Sequence, residues 1–168
     1  MAYNMSHHEG VPRNVAYDSE DLPYYSTKDS KLSYIRPDSS SIFAGENQTT
    51  LFLLSMAYAR YKQIPPLDLK KREANILTKA MGGSGNWLIL AGGLADSNDL
   101  MTLKNEAQIY KDAEKYANAG FKEIKDLVNK HGLAFSEYLE IELMNIAEEF
   151  IAEEEAEKEA EEALFDAE

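Results

Sequence analysis

Gly82-Gly83-Ser84-Gly85 is the stretch whose spacing most suggests chemistry. A glycine-rich loop cradles phosphate when it follows a strand and opens a helix. A Gly-Lys-Ser/Thr ending then supplies the lysine and the magnesium-binding hydroxyl. Here Asn86-Trp87 follow and no strand is expected ahead, so the run reads as an interhelical turn. His7-His8 could grip a metal, but two adjacent histidines near a chain end are ordinarily solvated. His131 stands at a predicted helix end, where the dipole favours an imidazolium. No His-Glu-x-x-His or Glu-x-x-His pattern occurs, so metal catalysis has no sequence basis. Pro37-Asp38 with Glu123-Ile124-Lys125 echoes a metal-nuclease signature. Glu123 and Lys125 fall on a predicted helix and face different directions, so the echo is rejected.

Two charge features remain. Lys70, Lys71 and Arg72, with Lys62 and Lys79 nearby, are the one basic cluster, able in principle to touch phosphates. Their density is ordinary for an exposed helix face. Residues 137–168 hold 14 Asp and Glu against Lys158 alone. The chain totals 30 acidic and 17 basic residues, so residues 1–136 hold 16 of each. The net charge of −13 therefore belongs to one terminal stretch. A polyanionic helix repels nucleic acid and attracts basic protein surfaces. Glu153, Glu154, Glu155, Glu157 and Glu159 are its candidate partner contacts.

The elements that must carry these residues read as helices. Asn47 or Thr49 caps a helix to about Lys62, with Leu51, Leu54, Tyr58 and Tyr61 on one stripe. Pro65-Pro66 stops it. Asp68 caps a basic helix from Leu69 to Met81. Asn86 opens a third, whose Trp87, Leu88, Ile89, Leu90 and Leu94 make it apolar on all sides, so it is expected at the buried centre. Asp96-Ser97-Asn98-Asp99 is a turn and cap cluster, with a short helix over Leu100 to Leu103 after it. A long helix spans Glu106 to Lys130, one face lined by Ile109, Ala113, Tyr116, Ala117, Gly120, Ile124, Leu127 and Val128. Gly120 is about 1 kcal/mol worse than Ala in a helix; a close helix crossing there would explain it. His131-Gly132 ends that helix. Ser136 caps the last one, whose Leu139, Leu143, Ile146, Phe150 and Ile151 form a usable core stripe before alanines and glutamates take over.

Residues 1–41 differ. They hold eight Ser, five of the ten Tyr and three of the five Pro, and no periodicity persists. This segment reads as irregular, able to order only against a surface. Tyr3, Tyr17, Tyr24, Tyr25 and Tyr34 are candidate docking anchors, because tyrosine buries much area at little entropy cost.

The expectation is an all-α protein, a bundle of five or six helices. An irregular N-terminal segment covers 1–41, a helical domain 42–151 and an acidic helical tail 152–168. With no cysteine, no run of 18 apolar residues and no signal pattern at Met1-Ala2-Tyr3-Asn4-Met5, the chain is expected in the cytoplasm. No cofactor and no membrane contact is expected, and a homo-oligomer is compatible with the helical surface.

The stretch from Ile42 to about Glu149 resembles a family of small helical proteins encoded beside DNA phosphorothioation (Dnd-type) modification and restriction genes. The resembling pieces are Ile42-Phe43 ahead of Leu51-Phe52-Leu53-Leu54-Ser55-Met56-Ala57-Tyr58, the Pro65-Pro66-Leu67 stop, Trp87-Leu88-Ile89-Leu90-Ala91, Asp99-Leu100-Met101, and Ala113-Glu114-Lys115-Tyr116-Ala117-Asn118-Ala119-Gly120. The last is similar to that family's Glu-Tyr-Ala-Asn-Gly-Gly run, with Ala119 in place of a glycine. The resemblance implies an accessory role in a prokaryotic antiviral defence system that modifies DNA, and carries over no catalytic residue. The reading is a non-enzymatic adaptor that binds a protein with a basic surface. The alternative is a regulator that touches DNA, or a DNA-bound machine, through Lys70, Lys71 and Arg72, or that inhibits such a machine with its acidic tail.

Overall fold

Asn47 accepts a hydrogen bond from the Thr50 N–H (2.9 Å) and opens a helix over Gln48–Tyr61. In this computed structural model, residues 10–26 and 31–165 are described. Among them the elements run β1 Asn14–Asp18, a helical turn α1 Leu22–Tyr25, α2 Gln48–Tyr61, β2 Arg72–Leu77, α3 Gly82–Ser97, α4 Glu106–His131 and α5 Phe135–Phe165, with short 3-10 turns between. The chain divides into two compact units, Met1–Asp126 and Leu127–Glu168.

The chain is mostly helical, but it is not all-α. Residues 72–77, expected inside a basic helix, form β2 and pair antiparallel with β1. Val15 faces Ile76 and Asp18 faces Arg72, with a register shift between Val15 and Tyr17. Arg, Glu, Ala and Leu all tolerate helix well, so local preference did not choose this strand. β1 is almost wholly buried, from Val15 to Asp18. Its backbone groups need partners that water cannot supply, and β2 is the segment that supplies them. The side chain of Asp18 accepts from the Lys70 N–H (2.6 Å) and fixes the entry to the pair.

The N-terminal segment likewise departs from expectation. Val15, Tyr17, Tyr25, Ile35 and Phe43 are core residues of the first unit, together with Leu51, Phe52, Met56, Ile76, Ile89, Tyr110 and Phe121. Tyr17 stacks on Tyr25 (4.3 Å between ring centroids), and Tyr25 meets Phe121 at 4.9 Å.

Glycines set the helix spacing. An added Cβ at Gly120 would land on the Ser55 carbonyl, 2.8 Å from its carbon and 3.1 Å from the Ala59 Cβ. The expected close crossing at Gly120 is therefore present, between α2 and α4. Gly82-Gly83-Ser84-Gly85 forms the first turn of α3 rather than a turn ahead of it. A strand, β2, does precede it, contrary to expectation. At Gly85 a Cβ would lie 2.9 Å from Leu53 Cδ1, and at Gly93 2.5 Å from Ile109 Cγ2. Only this side of α3 is buried. Trp87 is 62 % exposed and Leu88 44 %, so α3 is not the buried centre that its composition suggested.

Asn98 and Gly132 stand at helix ends as expected, whereas Ser136, expected to cap the last helix, lies inside α5, which begins at Phe135. Asn98 takes a left-handed conformation (φ 49°) after α3, and the Asp99 side chain caps the turn Leu100–Lys104. Gly132 (φ 56°) follows α4.

In the second unit His131 stacks on Tyr138 (4.3 Å), and the Tyr138 hydroxyl donates to Glu142 (3.2 Å). α5 runs unbroken to Phe165. Its expected core stripe is not buried. Leu143 is 51 % exposed and Ile151 56 %, and Ile141 and Met144 are exposed as well. Leu139 and Ile146 are half-buried.

Candidate functional site

The run Ala113–Gly120 on α4 organises the first unit. Glu114 is nearly fully buried, its side chain 3 % exposed. Its carboxylate accepts from the Ala16 N–H on β1 (2.9 Å) and from Arg72 on β2 through Nε (2.8 Å) and Nη2 (2.5 Å). One side chain thus joins both strands to α4. The same bonds strengthen the Arg72 guanidinium's hold on its proton. One turn on, Asn118 Nδ2 donates to the Leu67 carbonyl (3.1 Å) and the Asp68 carbonyl (3.2 Å), fixing the chain after Pro65-Pro66.

Tyr116 forms one wall of a cavity of about 440 Å³ lined also by Arg60, Gln63, Ile64, Pro65, Gly92, Ala95 and Asp96. The Arg60 guanidinium lies over the Tyr116 ring (4.1 Å). It forks onto Asp96 (2.6 and 2.9 Å) and donates to the Gly92 carbonyl (2.9 Å). A Cβ at Gly92 would lie 2.9 Å from Arg60 Cζ, which explains a glycine inside α3. Arg60 is held by its own chain, so the cavity's cation is already matched.

A second buried pair lies at the start of α1. Asp21, side chain 2 % exposed, pairs with Lys125. The Lys125 ammonium also lies 5.1 Å from the Tyr24 ring and 5.2 Å from the Phe121 ring. Burial pushes the Asp21 carboxyl above its ordinary range, with Lys125 opposing and Asp18 adding to the rise. Burial also raises the Tyr25 hydroxyl, and pushes Tyr34 and Tyr110 up to about 12. Glu114, Asp21 and Asp18 are the charged groups best shielded from water among the described residues. Each is held by groups of the same chain, an arrangement that fixes elements in place.

The residues singled out from sequence scatter. Tyr17, Tyr25 and Tyr34 are buried in the first unit, so they are not anchors for a partner. Tyr17 stacks on Tyr25, and Tyr25 and Tyr34 both meet Phe121 of α4. Tyr24 is half-buried, its ring edge-on to Tyr34 (5.1 Å) and Phe121 (5.8 Å). Tyr3, His7 and His8 lie outside the described residues. Lys70 pairs with Glu20 (2.8 Å), and Arg72 is committed to Glu114. Lys71 is exposed on the loop before β2. The cluster is therefore not a helix face, and two of its three cations already meet carboxylates. Glu155 is exposed on α5; the side chains of Glu153, Glu154, Glu157 and Glu159 lie outside the described ones.

Glu114 and Asn118 were missed from sequence because polar residues on a helix face normally read as solvated. Their one signal was membership of the Ala113–Gly120 run. The exposure of Ile141, Leu143 and Met144 had no signal at all, since periodicity marks an apolar face without saying what covers it. Among the described residues no group of three or more His, Cys, Asp or Glu is placed to hold a metal ion. No helix there is long and apolar enough to cross a membrane. No protein-family model, no curated protein and no solved structure matches this mostly helical chain.

Proposed function

We propose that this protein is a non-enzymatic adaptor that docks on the basic surface of a partner protein through α5. The observation that carries the reading is the exposure of apolar residues on an acidic helix. Ile141, Leu143, Met144 and Ile151 are each more than half exposed, on the helix that holds the chain's charge excess. Leu143, Met144 and Ile151 fall within an arc of roughly 100° on the helix, and an exposed apolar side framed by charge marks a surface made for another protein. The acidic frame favours a basic groove and disfavours pairing with a second acidic copy. The best-shielded charged groups of the first unit, Glu114, Asp21 and Asp18, are committed to holding the fold, which leaves the binding role to α5. The resemblance of residues 42–149 brings in the setting, a prokaryotic cytoplasm beside a DNA-phosphorothioation defence system.

The test is affinity capture from the cell that makes the protein. The variants are one lacking residues 152–168 and the triple variant Ile141→Ser, Leu143→Ser, Met144→Ser. A partner with a basic surface should be retained by the full chain and depleted by both variants, with the circular dichroism of residues 1–126 preserved. Equal capture by all three refutes the docking role of α5.

A further inference from the structure

We infer that the exposed face of α3 binds a second copy of this chain. α3 buries Gly85, Ile89 and Gly93, one ridge of residues four apart. The opposite side carries Trp87, Leu88, Ala91 and Ala95, all exposed, and half-buried Leu94. At the helical repeat these five fall within an arc of roughly 120°. None is charged. The turn Leu100–Lys104 follows α3 and packs against it; its Leu100, 71 % exposed, and Met101, 59 % exposed, add apolar surface next to exposed Asp99 and Lys104. From these exposures α3 and its turn leave on the order of 500 Å² of apolar side-chain surface in water, against about 800 Å² that one side of a standard interface contributes. A patch of that size lies near the upper end of what monomers tolerate.

Charge and shape select the occupant. An uncharged face offers nothing to a basic or an acidic partner; it matches another uncharged face. Residues 1–136 carry 16 acidic and 16 basic side chains, so the repulsion between two copies comes from residues 137–168 and not from the stretch that holds α3. Trp87, Ala91 and Ala95 form a single ridge at i, i+4 and i+8, large then small. In a two-fold, antiparallel crossing centred on Ala91, the Trp87 of each copy falls on the Ala95 of the other. Large residues then meet small ones, as ridge-into-groove packing requires.

Trp87 is the chain's single tryptophan, so its emission reports on this face alone. Sedimentation of the full chain over about 1–200 µM should give twice the 18.9 kDa chain mass at the upper end. Trp87 emission should shift to the blue and become protected from acrylamide over the same range. Ala91→Glu changes an exposed position. It should leave the helix content unchanged, raise the dimer dissociation constant at least about a hundredfold, and hold Trp87 at the emission of a solvated indole. Leu88→Gln serves the same purpose if Ala91→Glu fails to fold. A monomer throughout with invariant emission would overturn the inference. So would a dimer that these variants leave intact, or a Trp87 protected only when phosphatidylcholine vesicles are added.

Discussion

Replacing Gly120 by alanine should force α2 and α4 apart. By intrinsic preference alone the change should stabilise α4 by about 1 kcal/mol. The crossing opposes it. The new methyl would fall on the Ser55 carbonyl, with its carbon at 2.8 Å and the Ala59 Cβ at 3.1 Å. An extra methylene in a packed interior costs about 1–3 kcal/mol, and more where nothing can move aside. Here the obstacle is the Ser55 backbone, which no side-chain rotamer can move aside. Taking a cost of about 3–5 kcal/mol, above that range because backbone blocks the methyl, less about 1 kcal/mol of propensity, the net loss is about 2–4 kcal/mol, a fall in Tm of roughly 5–15 °C for a chain of this size. Gly83→Ala provides the contrast. Nothing lies within 4 Å of a Cβ there, so propensity acts alone and stability should rise by up to about 1 kcal/mol. Thermal and urea unfolding followed by circular dichroism measure both. A Gly120→Ala protein as stable as the parent would refute the crossing argument.

Two further predictions concern the buried ion pairs. Arg72→Ala should destabilise more than Glu114→Gln. The first strands a buried carboxylate at a cost of about 3–5 kcal/mol. The second keeps an acceptor for the Ala16 N–H and frees a guanidinium that is already 51 % exposed; urea unfolding giving the reverse order contradicts this. Lys125→Met should destabilise strongly at pH 7 and less at pH 5. The Asp21 carboxyl is raised in the folded chain, so the native state holds an extra proton between the unfolded and folded values. The stability this group contributes is full below its unfolded value and lost as pH rises through the folded one. Removing Lys125 raises the folded value further and widens that window. A gap between variant and parent that stays the same at the two pH values would count against it.

Most of what was legible in the sequence was local. Asn47, Pro65-Pro66, Asn98 and Gly132 mark ends that depend on a few neighbouring residues. Gly120 was legible because a glycine inside a strong helix demands a reason. The β1–β2 pair was not. Asp18 and Arg72 are brought together from more than fifty positions apart, and Arg72-Glu73-Ala74-Asn75-Ile76-Leu77 suits a helix until a buried strand requires its backbone. The roles of Tyr17, Tyr25 and Tyr34 were hidden for the same reason: a tyrosine without periodic neighbours reads as loose until its pocket exists. α3 shows the opposite failure. A helix apolar all round should be buried, and nothing in its pattern says that one side lacks a neighbour within its own chain.

If α5 is the docking element, it must touch the partner. A photo-reactive phenylalanine analogue placed in turn at Leu143, at Ile151 and at the exposed Ala74 on β2, followed by irradiation in the native cell, tests it most directly. One covalent adduct, to the same basic protein, is expected from positions 143 and 151 and none from 74. Silence at both α5 positions, or equal labelling from Ala74, would contradict it.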